Sequence, residues 1–162
     1  MFLGGDDGKL RVWSVNTQNQ VAASSKHGAG VTAFHSNIFK EHLLACGSYD
    51  EKIFLWDSRN FKSPIDIIDA CGGIWRLKWE PRKRSQYLLS ASIYGGFQIF
   101  DTQTCSIVAD YREHESLAYG ADWSFLSEEH VKDFFDSDKL SLIATCSFYD
   151  HKLCVSVWDE SF

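Results

Sequence analysis

The sequence predicts an all-β chain built from repeated four-stranded blades, and three observations carry that prediction. First, a phrase closing on an aromatic residue returns four times. Gly5-Asp6-Asp7-Gly8-Lys9-Leu10-Arg11-Val12-Trp13 comes back as Ser48-Tyr49-Asp50-Glu51-Lys52-Ile53-Phe54-Leu55-Trp56. It comes back more loosely as Ile93-Tyr94-Gly95-Gly96-Phe97-Gln98-Ile99-Phe100, and again from Phe148-Tyr149-Asp150-His151 to Trp158. Second, the closing aromatics lie 43, 44 and 58 residues apart, and Trp56-Asp57 and Trp158-Asp159 carry a Trp-Asp dipeptide. A period of roughly 40–45 residues with that dipeptide marks a WD40-type β-propeller. Third, short apolar runs such as Ile53-Phe54-Leu55-Trp56, Ile65-Asp66-Ile67-Ile68 and Tyr87-Leu88-Leu89 are bounded by Gly, Asp, Asn and Ser, the pattern of strands and turns.

Taken in order, residues 2–13 supply the tail of a first blade's inner strands and Val21–Ser25 its outer strand. Two complete blades follow, with inner strands at Val31–His35 and Ile74–Trp79. The last blade begins near Ala118 and stops four residues after Trp158, before its outer strand. Propellers need about 4–8 blades to close, so the expected fold is an incomplete WD40-type propeller, about three to four blades of roughly seven. Residues 1–162 are read as one such domain, the C-terminal portion of a longer propeller whose open strands near Val12 and Trp158 favour self-association. Between Trp123 and Leu140 the expected short hairpin swells. Ser127–Phe135 reads as a short helix with Ser127 as its cap and acids in its first turn, an insertion over about residues 125–139 docked by Phe134 and Phe135.

Composition narrows the function classes. A net charge of −6 argues against nucleic acid as a partner, which needs a clustered basic face. The basic run Arg82-Lys83-Arg84 follows Pro81 and reads as a solvated turn. No apolar run approaches 18 residues and no signal peptide is present, so no membrane partner is expected. Five cysteines, at 46, 71, 105, 146 and 154, form no C-x-x-C pair. That pattern suits a reducing cytoplasmic setting, and no metal site or cofactor is expected.

Several polar residues belong to the repeat. Asp7 and Asp50 each precede their Trp (Trp13 and Trp56) by six residues, at the tight turn between two blade strands. His27 and His114 each precede an inner strand by four. These positions are those of the buried Asp–His–Ser/Thr–Trp network of WD-repeat families. The third repeat departs: Ala70 replaces the His and Tyr94 the Asp, so packing that includes Trp75 and Trp79 is expected to hold that blade.

The final blade breaks the pattern at its turn. Cys46 to Asp50 spans four residues but Thr145 to Asp150 spans five; Asp50 to Trp56 spans six but Asp150 to Trp158 spans eight. Bulges are expected in this longer hairpin. Tyr149, Asp150 and His151 there are either an acid–base trio or a lengthened turn with an ordinary blade Asp. On the inner strands, Arg76 and Lys78 share one side, and Gly120 and Asp122 hold the matching places of the next blade. Arg76 facing Asp122 across neighbouring blades is either a structural ion pair or a guanidinium available to a carboxylate or oxyanion.

Gly47-Ser48-Tyr49-Asp50-Glu51, Gly72-Gly73-Ile74-Trp75-Arg76-Leu77-Lys78-Trp79, Tyr119-Gly120-Ala121-Asp122-Trp123-Ser124 and Ala144-Thr145-Cys146-Ser147-Phe148-Tyr149-Asp150-His151 together resemble the diphthine methylesterase family, also called diphthine methyltransferases, over about Gly4 to Trp158. The resemblance implies hydrolysis of the methyl ester on methylated diphthine, the modified histidine of elongation factor 2, in diphthamide biosynthesis. Elongation factor 2 is then the protein substrate. No G-x-S-x-G elbow is present. Placement makes Asp150 or His151 the group that activates water and Arg76 or Tyr149 the group that stabilises the oxyanion, with Ser147 and Cys146 as weaker nucleophile candidates. The rival reading is a non-catalytic WD40 interaction scaffold.

Overall fold

The computed structural model describes residues 1–82, 85–126, 130–131 and 139–160. Among them lie fourteen strands in four antiparallel sheets. The first sheet holds β1 (Phe2–Gly4), β2 (Leu10–Ser14) and β3 (Asn19–Ser24). The second runs β4 (Val31–Ser36), β5 (Leu43–Ser48), β6 (Lys52–Asp57), β7 (Asp66–Asp69). The third runs β8 (Ile74–Trp79), β9 (Tyr87–Ser92), β10 (Gly96–Asp101), β11 (Ser106–Tyr111). The fourth holds β12 (Gly120–Trp123), β13 (Leu140–Ser147) and β14 (Lys152–Asp159). Each sheet is an up-and-down meander in sequence order, the blade of a WD40-type propeller. By register β1 corresponds to a blade's second strand and β14 to its third, so the two middle sheets are four-stranded and the outer two three-stranded.

The apolar runs are explained by where the core sits. Each of three buried clusters lies between two successive sheets, and the middle strands contribute to both sides. On β6, Phe54 and Trp56 pack toward the first sheet with Leu10 and Leu44, while Ile53 and Leu55 pack toward the third with Ile74, Leu77 and Phe100. On β10, Phe97 and Ile99 pack toward the fourth sheet with Ala121 and Trp123. Strands buried on both faces need consecutive apolar residues, not alternation. Outer strands have one covered face, and β7 and β11 accordingly leave Ile67, Ile107 and Val108 exposed. Indole donors fasten the inner strands together: Trp79 Nε1 donates to the His35 carbonyl at 2.9 Å, and Trp123 Nε1 to the Lys78 carbonyl at 2.8 Å.

Several expectations change. Val12 is not at an open edge, because β2 pairs on both sides, with Phe2 and with Ala22. The fourth sheet's third strand, β14, pairs only with β13 and leaves Leu153, Val155 and Val157 exposed. Arg82 is not solvated: its guanidinium donates to the Leu140 carbonyl and lies 3.7 Å from the buried Glu80 carboxylate, tying the third sheet to the fourth. Lys83 and Arg84 lie outside the described residues. So does nearly all of the expected helical insertion, including Ser127, Phe134 and Phe135. Of that insertion His130 and Val131 are described, and both are helical. The third blade is held by more than packing: Gln98, fully buried on β10, accepts from the Cys71 amide and the Ser92 hydroxyl, both at 3.3 Å.

Two imidazoles make the fold pH-sensitive. Burial holds His27 and His35 below the ordinary value of 6.5; Asp50 pulls His27 back in part, and Lys78 pushes His35 further down. The unfolded chain then binds more protons in this range than the folded one. Their stabilisation is therefore complete above about pH 6.5 and is lost as pH falls through the folded values. Thermal melts should show a lower Tm at about pH 5.5 than at about pH 7.5; an unchanged Tm would contradict this.

Candidate active site

The site is built at the end of the blades where the β5–β6, β9–β10 and β13–β14 turns lie. There β13 and β14 pair in unbroken register from Leu140↔Asp159 to Ser147↔Lys152. The bulges expected in this hairpin are absent, and register shifts occur instead in the first three blades, at Val12/Trp13, Val31/Ala33, Ile74/Arg76 and Ile99/Phe100. The extra residues go into longer strands and a longer turn. β5 and β6 are six residues each, whereas β13 and β14 are eight. Phe148–His151 is a four-residue turn where β5 and β6 are joined by three. Both turns close on a left-handed residue directly after the Asp, Glu51 at φ 64° and His151 at φ 54°. The added residue therefore enters ahead of the Asp.

Asp150 serves the blade network. Its side chain is 5 % exposed and accepts from His114 Nδ1 at 3.1 Å, the Glu115 amide at 3.0 Å and the Lys152 amide at 2.9 Å. Burial pushes its carboxyl up, but the Lys152 and Glu115 amides and His114 more than offset this and hold it below the usual carboxylate value. His114 continues through Nε2 to Thr145 Oγ1 at 3.0 Å. In the second blade His27 Nδ1 lies 2.9 Å from Asp50, but Nε2 meets the Cys46 sulfur at 3.4 Å, since that blade has no hydroxyl there. The expected network ends at that sulfur, and the buried Trp56 Nε1 finds no protein acceptor. Trp13 Nε1 is likewise without one, and Asp7 pairs with Arg11 and the Lys9 amide, not with a His.

Arg76 and Asp122 do not face one another. The Trp123 indole bond to the Lys78 carbonyl sets β12 against β8 so that Asp122 is level with Lys78, and those two pair at 2.7 Å. Gly120 is the residue matching Arg76. Arg76 turns the other way, its guanidinium 5.8 Å from the Trp75 ring centroid and donating to the Trp75 carbonyl at 3.1 Å. No carboxylate pairs with it among the described residues.

Arg76, Tyr149 and His151 instead line one open basin of about 710 Å³. Three of the five sequence candidates therefore meet there. Asp150 does not line it, and Asp122 lies at the far end of the inner strands beside His35 and Lys78. Sequence reasoning gave no site role to Trp75, Tyr119 or Phe148 and treated Cys146 as marginal; all four line the basin. The available signal was the repeat itself, since Trp75 and Tyr119 occupy one position in successive blades. The Tyr119 and Tyr149 rings lie 6.1 Å apart between centroids and 57° from parallel, and the neighbouring Tyr149 phenol, with burial adding to it, raises the Tyr119 phenol above its usual value. Gly120 makes room for Cys146, whose sulfur would lie 2.5 Å from a Cβ there. Among the described residues, no acidic side chain lines the basin. Among the described residues, no group of three or more His, Cys, Asp or Glu is placed to hold a metal, and no helix is long and apolar enough to cross a membrane.

No protein-family model matches the chain. Human diphthine methyltransferase is 40% identical over 134 residues, covering 78% of this chain and 29% of that protein. The Dictyostelium discoideum diphthine methyltransferase homolog is 36% identical over 179 residues, covering 98% of this chain and 46% of that protein. The chain thus spans less than half the length of these curated relatives. Among solved structures, a chain of the mitotic checkpoint complex crystal structure superposes with a TM-score of 0.76 at 19% identity over 98% of this chain and 43% of that one, a likeness of fold alone. The four-bladed arc and these relatives together identify the chain as a diphthine methyltransferase-like WD-repeat protein.

Proposed function

We propose that this chain carries the ester-hydrolysing site of diphthamide biosynthesis, cleaving the methyl ester of methylated diphthine on elongation factor 2. The observation that supports this best is the basin itself, where a guanidinium with no carboxylate partner among the described residues, two neighbouring phenols and an exposed imidazole converge. In this reading His151 takes a proton from water as its oxygen attacks the ester carbonyl carbon. The negative charge that develops on the carbonyl oxygen is met by the Arg76 guanidinium, assisted by the Tyr149 hydroxyl. Collapse expels the methoxy group, which takes the proton back from His151 and leaves as methanol. The carboxylate remains on the protein substrate and one proton goes to solvent. Asp150 is a positioning residue: fully used by His114 and two amides, it fixes the turn that presents Tyr149 and His151.

The test is methanol release from elongation factor 2 bearing methylated diphthine, with the Dictyostelium relative as reference enzyme. Release by this chain, lost in His151→Ala, is the expected result. No release where the reference releases methanol, or full activity in His151→Ala, would overturn the assignment.

A further inference from the structure

The rim between the first and second sheets carries charge and hydrogen-bonding groups that ester hydrolysis does not use. An open trough of about 780 Å³ lies there, with Ala22–Lys26 along one wall and Arg59–Lys62 along the other. None of these residues lines the basin. Lys26, Arg59 and Lys62 bring three cations to the trough, and among the described residues no acidic side chain lines it. Arg59 is held by the Asp57 carboxylate at 2.9 and 2.6 Å. Lys26 and Lys62 are exposed and have no carboxylate partner among the described residues. The second wall is fixed in advance. The Asn60 amide donates to the Asp57 carbonyl at 2.8 Å and the Lys62 amide to the Asn60 side-chain oxygen at 3.1 Å, while Phe61 packs on the Trp56 ring at 5.5 Å between centroids. The first wall is β3, which pairs with β2 alone and so keeps one row of backbone groups outside any ladder. Ser24 stands opposite Leu10 in that pairing and shares its face, toward the second sheet. Its side chain is 8 % exposed, and its buried hydroxyl has no partner among the described residues.

We propose that this trough binds an extended acidic peptide segment of a partner protein. Two lysines left without carboxylates in a chain of net charge −6 are a local exception, and they favour carboxylates supplied from outside. An extended segment fits the open side of β3, whose unpaired backbone groups accept an added strand. Alternate side chains of such a strand point the same way, so acids at every second position can meet Lys26 and Lys62 from one face. A buried hydroxyl with no acceptor costs stability and calls for a partner; Ser24 donates to an oxygen of the incoming segment. Nucleic acid fits less well, because phosphates beyond those met by the two lysines face the net negative charge of the chain. The trough is separate from the basin, so the proposal stands or falls independently of ester hydrolysis.

The full chain is titrated into a fluorescein-labelled peptide of alternating Glu and Ser residues, following fluorescence anisotropy at low ionic strength. The same peptide with Lys in place of Glu, and a labelled oligothymidylate, serve as comparison ligands. Saturable binding of the Glu peptide is expected, weakened about ten-fold or more when Lys26→Glu and Lys62→Glu are combined. Both lysines are exposed, so neither change threatens folding. Ser24→Ala should weaken binding about two- to five-fold without lowering Tm, since it removes a hydroxyl that the unbound chain leaves unpaired. The Lys peptide should not bind. Absence of binding by the Glu peptide, or binding unaffected by the double substitution, would overturn the proposal. So would oligothymidylate binding as tightly as the Glu peptide, which would make the trough a general polyanion surface.

Discussion

Truncating Phe100 to Ala is expected to cost the chain about 3–5 kcal/mol of stability. Phe100 is fully buried and belongs to the cluster between the second and third sheets, where it meets Leu77, Trp79 and Leu88 on its own side and residues of the Ile53–Leu55 stretch on the other. The cavity left behind cannot close easily. Its walls hang on strands whose backbones are fixed by ladders on both sides, Phe100 itself being opposite Leu88 and Ile107. The transfer term and the cavity term therefore both count in full. Ile107, on the outer strand and 38 % exposed, supplies the contrast. Ile107→Ala should cost well under half as much, because partial exposure removes most of the cavity term. Urea denaturation of the two variants measures the difference, and equal costs would show that the inter-sheet cluster does not carry the fold. The geometry also sets which parts open first. The second and third sheets each have neighbours on both faces, whereas the first and fourth sheets each pack against one other described sheet. In a stack stabilised by nearest-neighbour contacts, amides of β5, β6, β9 and β10 should exchange slowest with solvent.

The blades were legible in the sequence because the repeat is a register of strands. A turn Asp six residues before a Trp sets the second hairpin of a blade, and β5–β6 follows it. What escaped were the features that depend on how one blade is set against the next. The match of Gly120 and Asp122 with Arg76 and Lys78 was visible, but which of the two basic residues takes the carboxylate depends on the Trp123 indole bond to the Lys78 carbonyl. Length differences at the last turn were also visible, yet two added strand residues and one turn residue give the same count as a bulge. Only the register from Leu140↔Asp159 to Ser147↔Lys152 separates them. The substitution of Gln98 for the missing His–Asp pair was illegible for another reason: it comes from the opposite strand and reaches the Cys71 amide through space. Trp75 looked like packing because an aromatic on an inner strand usually is. Its place in a row with Tyr49 and Tyr119 emerges only when three blades stand side by side.

Replacing Arg76 by Ala should lower methanol release by about 10²–10³-fold in kcat, the usual loss when one donor to a developing oxyanion is removed. The reason for so large an effect on an exposed side chain is that, among the described residues, nothing else in the basin supplies a fixed positive charge at that place. Lys152, the other lining cation, is held 2.7 Å from Glu115. Arg76→Lys should recover only part of the loss, since an ammonium keeps the charge without the planar fork. The control follows from the corrected pairing. Asp122→Asn disturbs an ion pair with Lys78 at the opposite end of the inner strands, and turnover should be nearly unchanged. Had Arg76 and Asp122 formed the pair that sequence placement favoured, the two substitutions would act alike, each freeing or misplacing the other's partner. Measured side by side in the same assay, a large loss for Arg76→Ala with little for Asp122→Asn separates a guanidinium poised for substrate from one tied into the scaffold. Comparable losses in both would return Arg76 to a structural role and leave His151 and Tyr149 without a charged partner for the oxyanion.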